Sequence, residues 1–299
     1  MNERKIIYLV NPVSGTAKKD ALLKHIQRTN NEHKIEHEIY FTEANCNYHS
    51  IKNKIQKQNF TDVVIVGGDG TVSQVVNALR KTHVQFGIIP SGSGNGLAFA
   101  AAIPKNYIKA LDIILQGNSK PVDAFFINQY FSVNLSGIGF DAKVAHHFAE
   151  KNTRGLFTYT QQTLLHYFNA GTYAFEILVD DFSFKANAFF ISMANSNQFG
   201  NNVTIAPKAS LNDGLLDVVI VQKMNKIKLP FAVLQQIKGN NKIQLMETIS
   251  KESIIYFQTP ALKIRNINLA PLHVDGEPKQ TAKEFTVEII KDCFELMQP

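Results

Sequence analysis

The chain has 299 residues, 44% apolar and 19% charged, which is long for one compact domain and too apolar for a disordered one. Lysine and arginine outnumber aspartate and glutamate by 31 to 25. That excess suits a nucleotide or an acidic membrane face, and the lack of an arginine-rich tract argues against nucleic acid.

The two cysteines, Cys46 and Cys293, have no metal-like spacing and read as free thiols in a reducing cytosol. The first apolar run, Ile6–Val10, is too short for a signal-peptide core, and no stretch approaches the ~20 apolar residues of a spanning helix. The expected location is cytoplasmic, with peripheral contact at the inner membrane face.

In chain order, Ile6–Val10 reads as a buried strand, Asp20–Arg28 as a helix and Ile35–Phe41 as a strand. A helix over His49–Gln58, a strand over Asp62–Val66, a helix over Val72–Lys81 and a strand over Phe86–Ile89 follow. This alternation predicts an α/β domain with a mainly parallel sheet over residues 1–121. Beyond Pro121 the texture becomes strand-rich, with runs at Tyr130–Leu135, Tyr173–Val179, Ala186–Met193, Leu216–Val221, Ile254–Gln258, Leu262–Ile267 and Thr286–Ile290. Helical interruptions are expected at Ala142–Phe148 and Phe157–Phe168. Residues 122–299 are therefore expected to form a β-rich second domain, whose last residues can pack back on the first.

Three glycine-rich turns follow strands of the first domain: Asn11-Pro12-Val13-Ser14-Gly15, Gly67-Gly68-Asp69-Gly70-Thr71 and Pro90-Ser91-Gly92-Ser93-Gly94-Asn95-Gly96. Glycine lets the backbone turn tightly and approach a ligand, and N–H groups at a helix start attract anions. Ligands of open α/β sheets bind beyond the carboxyl ends of the strands. Thr71 and Ser93 add hydroxyls. One such turn can be an ordinary tight turn; three at strand-to-helix junctions point to nucleotide phosphates. None fits the P-loop or the dinucleotide fingerprint.

These turns, in this order, resemble the catalytic domain of the diacylglycerol kinase family, which includes soluble bacterial lipid kinases and sphingosine kinases. Asn212-Asp213-Gly214-Leu215-Leu216-Asp217 and Val274-Asp275-Gly276-Glu277-Pro278 resemble its two later motifs. The resemblance implies an α/β nucleotide-binding domain of NAD kinase/diacylglycerol kinase type plus a C-terminal β-sandwich-like domain, with the active site in a cleft between them. It also implies ATP and Mg2+ as cofactors and a membrane lipid as acceptor. Asn11, Ser14, Gly15, Gly67, Gly68, Gly70, Thr71, Gly92, Ser93, Gly94 and Asn95 would hold the nucleotide. Thr42 resembles a nucleotide-contacting threonine of the family; alone it is a β-branched residue at a strand end.

Phosphoryl transfer needs alignment, a cation on the phosphates and a group to take the hydroxyl proton. Asp69 reads as a helix N-cap or as a magnesium or substrate contact. Glu277 reads as a solvated turn carboxylate or, by the resemblance, as the general base, with Asp69 its rival. Asp213 can form an Asx turn; the resemblance gives it a structural magnesium, with the carbonyls of Ser210 and Leu215 as co-ligands. Asp123 supports that network from behind its ligands or forms a turn at the domain junction.

Gly137-Ile138-Gly139-Phe140-Asp141 resembles the sphingosine kinase segment whose aspartate holds the lipid head group. Asp141 would fill that role, or cap a helix. Phe157 and Leu164, with Leu156, Leu165 and Phe168, line either an acyl pocket or a core-facing helix. The lysine-rich stretch between Asp217 and Glu247 can rest on an anionic bilayer or form the wet face of a packed helix. A homodimer is left open. The rivals to a lipid kinase are a kinase of NAD or another small soluble alcohol, and a non-catalytic nucleotide- or lipid-binding regulator. NAD kinases carry an Asn-Glu pair and a Gly-Ser-Thr-Ala-Tyr stretch after the glycine turns, and neither occurs there: the Asn-Glu pairs of this chain, Asn2-Glu3 and Asn31-Glu32, both precede the second turn.

Overall fold

Uninterrupted runs of β-branched residues have no polar face to offer water, so they form strands covered on both sides. In the computed structural model, which describes residues 4–15, 19–43, 47–143, 171–197, 206, 208–222 and 254–299, these are β1 (Lys5–Val10), β3 (Asp62–Gly67) and β4 (Gln85–Pro90), each buried along nearly its whole length. β2 (Glu36–Phe41) carries charge and lies partly exposed at the edge. The order is β2-β1-β3-β4, all parallel.

Helices α1 (Asp20–Glu32), α2 (His49–Gln58) and α3 (Asp69–Leu79) bury Leu22 and Ile26, Ile51 and Ile55, and Val72, Val75, Val76 and Leu79 respectively. A short α4 (Gly96–Ala100) follows β4. Then α5 (Tyr107–Gln116) begins at Asn106, whose side chain accepts from the N–H groups of Ile108 and Lys109 at 3.0 and 3.2 Å, and stops at Gly117 with φ +70°. Arg4 satisfies the carbonyls at the α5 terminus, donating to Ile114 and Leu115 at 2.9 and 3.0 Å, and pairs with buried Asp62 at 2.8 Å.

The chain divides into two units, Met1–Val122 with Asp292–Pro299, and Asp123–Lys291. β5 (Ser119–Ile127) passes from the first to the second. The strands of the second unit are β6 (Tyr130–Ser132), β7 (Leu135–Gly139), β8 (Tyr173–Val179), β9 (Phe182–Ala194), β10 (Leu216–Gln222), β11 (Ile254–Thr259), β12 (Ala261–Asn266), β13 (Leu272–Val274), β14 (Glu277–Lys279) and β15 (Glu284–Met297). Their pairing is antiparallel, in the order β14-β13-β7-β9-β8-β12-β15, with β10 between β9 and β11. Phe125, Ile138, Phe175, Ile191, Met193, Val218, Leu272, Phe285 and their neighbours form its apolar core. The end of β15 belongs to the first unit, where Glu295 and Leu296 run parallel to Gln85 and Phe86.

The expected fold class, an α/β domain followed by a β-sandwich-like one, holds. Two local expectations do not. The run Tyr130–Leu135 is two strands, because the Asp275 carboxylate accepts from the N–H groups of Val133, Asn134 and Leu135 and draws the chain out of the ladder. Asp123 is no turn residue: it lies inside β5, which continues through Pro121. The expected helices at Ala142–Phe148 and Phe157–Phe168, and the lysine-rich stretch, fall largely or wholly outside the described residues. Among the described residues no helix is long and apolar enough to cross a membrane.

Candidate functional site

Because β1, β3 and β4 are parallel, their carboxyl ends share one edge, and the three turns gather there. They are joined by named bonds. Asn11 Nδ2 donates to Thr71 Oγ1 at 2.7 Å, linking the first turn to the second. Ser14 Oγ and Ser91 Oγ lie 2.7 Å apart, linking the first to the third. The Ser91 N–H donates to the Gly67 carbonyl at 2.9 Å. Gly68 and Gly92 touch through their backbones: a Cβ on Gly92 would lie 2.5 Å from Gly68 Cα. No other residue fits that crossing. Asn95, buried and left-handed at φ 57°, closes the third turn by accepting from the Gly92 N–H and donating to the Gly92 carbonyl, both at 2.8 Å.

Asn11, Ser14, Thr71 and Ser91 thus hold the turns to one another, while Asn95 holds the third turn to itself. Lys19 Nζ donates to Ser14 Oγ at 3.0 Å, and burial lowers the pKa of its ammonium. Thr42 follows β2 and donates its N–H to the Val10 carbonyl at 2.9 Å, beside the first turn. Gly15, at φ +72°, packs against the Ser91 carbonyl. Gly70 lies in the first turn of α3, and Ser93 is exposed at the third turn.

Asp69 does not cap its own helix; Gly68 occupies that position. Its carboxylate instead receives N–H groups at the start of α4, Leu97 at 3.2 Å together with Asn95 and Gly96. Burial raises the Asp69 carboxyl pKa, and these N–H groups oppose the rise. Gly94 leaves room for the second oxygen, which a Cβ there would meet at 2.9 Å.

In the second unit Asp123 Oδ2 accepts from the Gly214 N–H at 2.7 Å, and Asp213 Oδ1 from the Leu215 N–H at 3.0 Å. Burial, then the charge of Asp123, raise the Asp213 carboxyl pKa above its usual range. Ser210 and Leu215 flank this turn. Among the described residues no group of three or more His, Cys, Asp and Glu could hold a metal ion. Two carboxylates that repel each other nonetheless fit a hard, oxygen-seeking cation.

Asp217, fully buried on β10, accepts from Tyr256 and from Gln258. Burial outweighs these bonds and pushes its carboxyl pKa up to about 6 from 3.8. The folded chain therefore holds this proton more tightly than the unfolded chain does. Stability from Asp217 is full below 3.8 and is lost as pH rises through about 6. Asp217→Asn should flatten the fall in unfolding free energy, read from urea melts between pH 4 and 7, with the wild-type fall larger by an amount on the order of 1–3 kcal/mol. Parallel pH curves for the two proteins would refute this account.

Glu277 opens β14 after a two-residue turn in which Asp275 and Gly276 both have positive φ, 49° and 80°. That is the hairpin geometry favoured by Asp-Gly. The Asp275 carboxylate is consumed in fixing the turn, accepting from Ser132 Oγ at 2.7 Å and from the N–H of Leu135 at 3.0 Å. The Glu277 carboxylate is partly exposed and accepts from Lys279 Nζ at 2.9 Å. Asp141 is buried, 3.3 Å from His273 Nε2. Its side chain also accepts from the Ala142 N–H at 2.8 Å, next in sequence. Phe157 and Leu164 lie outside the described residues. Sequence reading missed Ser91, His273 and the clamping role of Asp275. Ser91 lay in plain view within the third turn, while His273 gave no local signal.

Residues 5–127 match the model of the diacylglycerol kinase catalytic domain, and residues 135–297 that of the YegS C-terminal NAD kinase beta sandwich-like domain. With the glycine turns, this defines a two-domain lipid kinase. The chain belongs to the diacylglycerol kinase catalytic-domain family. It is 26% identical over 288 residues to a diacylglycerol kinase of Bacillus subtilis, covering 93% of this chain and 90% of that one. It is 28% identical over 251 residues to a YegS-like protein of Shewanella frigidimarina named a probable lipid kinase, covering 81% and 77%. A crystal structure of a diacylglycerol kinase from Bacillus anthracis superposes with a TM-score of 0.73 at 18% identity, covering 100% of this chain and 98% of that one, and shares the fold.

Proposed function

We propose that this kinase transfers the γ-phosphate of ATP to a hydroxyl of diacylglycerol or of a sphingoid-type lipid. The observation that carries the nucleotide reading is the mutual locking of three turns at one sheet edge, Asn11 to Thr71, Ser14 to Ser91 and Gly68 against Gly92. Their side chains hold one another and bring glycine-rich backbone to one edge, where the N–H groups not already bonded within the turns would face phosphate oxygens, as at other anion sites built on helix starts. Thr42 would contact the nucleotide.

Mg2+ would be held by Asp213 with the carbonyls of Ser210 and Leu215, and Asp123 would brace that turn through Gly214. When bound, it supplies positive charge that offsets the repulsion between these carboxylates. Asp69 would meet magnesium or the acceptor hydroxyl, Glu277 would take the hydroxyl proton, and Asp141 would hold the head group. The protein would work in the cytoplasm, visiting an anionic inner membrane face, as its +6 charge favours.

The test is a panel of lipids incubated with γ-labelled ATP and Mg2+, followed by extraction into organic solvent. Label in the organic phase with diacylglycerol or sphingosine is expected. Label that stays in water with every lipid, and appears instead on NAD or another soluble alcohol, would overturn the lipid acceptor.

A further inference from the structure

Both ring nitrogens of His273 are engaged. Nδ1 accepts from the Gly276 N–H at 3.3 Å, which leaves the ring proton on Nε2. Nε2 then donates to Asp141 Oδ2, also at 3.3 Å. The two side chains are 3% and 7% exposed, so neither borrows much from water. The sheet was built to let them meet. Gly137 lies opposite His273 on the neighbouring strand, and a Cβ there would stand 1.9 Å from Asp141 Oδ2 and 2.6 Å from His273 Nε2.

On its other side Gly137 lies opposite Ser192. Residues directly opposite in antiparallel strands share a face, so Ser192, Gly137 and His273 form one row. Ser192 is fully buried, and among the described residues nothing hydrogen-bonds to its hydroxyl. A buried hydroxyl left unpaired is costly, because it has given up water without a replacement. Asp141 has used one acceptor position on each oxygen, for the Ala142 N–H and for His273, and an ionised carboxylate offers about four. A spare donor and acceptor on Ser192 and spare acceptors on Asp141 thus flank one glycine.

We propose that His273 is a positioning residue for the acceptor lipid: it aims Asp141 at a hydroxyl or amine of the head group, with Ser192 as the second contact, and ties that carboxylate to the turn that presents Glu277. This rests on the reading of Asp141 as the head-group contact. The ligand it fits carries at least one O–H or N–H donor at its polar end.

The test is steady-state kinetics of the full chain with 1,2-dioctanoylglycerol or sphingosine in detergent micelles and labelled ATP. Wild type is compared with His273→Leu, His273→Gln, Ser192→Ala and Asp141→Asn, alongside nucleotide KM and thermal midpoint. His273→Leu should raise the lipid KM about tenfold or more, the scale of a lost hydrogen bond to a charged group, with nucleotide KM within about twofold. His273→Gln keeps an N–H for Asp141 and should recover most of the loss. Ser192→Ala should raise lipid KM about threefold or more. Lipid and nucleotide KM rising together, or no rescue by glutamine, would mark His273 as packing only and overturn the proposal. Should His273→Leu fail to fold, an unchanged lipid KM in Ser192→Ala overturns it instead. A wild-type lipid KM in Asp141→Asn would sink the underlying reading, whereas loss there with none in the His273 and Ser192 variants would sink this proposal alone.

Discussion

Asp69→Asn is expected to lower kcat at saturating ATP by about 10³-fold or more, the scale of a lost electrostatic contact to the transferring group, while the protein stays folded. The geometry makes this a sharp test. Asp69 has a structural task, since its carboxylate receives the Leu97 N–H and the neighbouring N–H groups that begin α4. Asparagine keeps one carbonyl oxygen for Leu97 and has the same size. It gives up the charge and turns an NH2 toward the space that Gly94 leaves for the second oxygen. If clasping α4 were its whole role, the change would cost about 1 kcal/mol of stability and some ATP affinity, with kcat at saturation retained. A large fall in kcat beside a small shift in urea midpoint and in ATP Kd separates chemistry from clasp. A kcat within about threefold of wild type would remove Asp69 from the reacting centre.

The regularity of this chain decides how much of it can be read without coordinates. The first unit was legible because its signals are local. Unbroken runs such as Val63–Val66 form covered strands, and glycines sit where the chain leaves them. Ile51 and Ile55, one turn apart, bury the face of a helix read at its observed bounds, His49–Gln58. Helix α5 carries marks just as local, an Asn106 cap and a Gly117 stop, although it is not among the expected elements.

The second unit hid its chemistry in pairings between distant segments. Gly137 looks like any loop glycine until β13 brings His273 beside it and Asp141 folds over it. Asp275 reads as a motif carboxylate, yet it is spent on N–H groups some 140 residues earlier in the chain. Of the two readings of Asp123, the junction turn fails because β5 runs on through Pro121, and proline is tolerated in a strand where its missing N–H is not needed. Motif spelling names candidate residues; strand register shows which of them are already spent on holding the fold, as Asp275 is.

Glu277→Gln should be the complementary case, a fall in kcat of about 10²–10⁴, the range for loss of a general base, with ATP Kd within about twofold. The substitution is nearly isosteric, and the turn that carries it does not depend on it. Asp275 and Gly276 make the turn through their positive φ angles, and Ser132 and Leu135 hold Asp275 in place. Glu277 itself is partly exposed and bonds only to Lys279 among the described residues, so the variant should lose little stability. The pH profile then chooses between the rival bases. A base must be ionised to accept the hydroxyl proton, so wild-type kcat should fall on the acid side, and the variant lacking the base should lose that fall along with its rate. If Glu277→Gln keeps the acid limb while the residual activity of Asp69→Asn lacks it, the proton goes to Asp69. Glu277 would then be an electrostatic neighbour of the acceptor rather than its base.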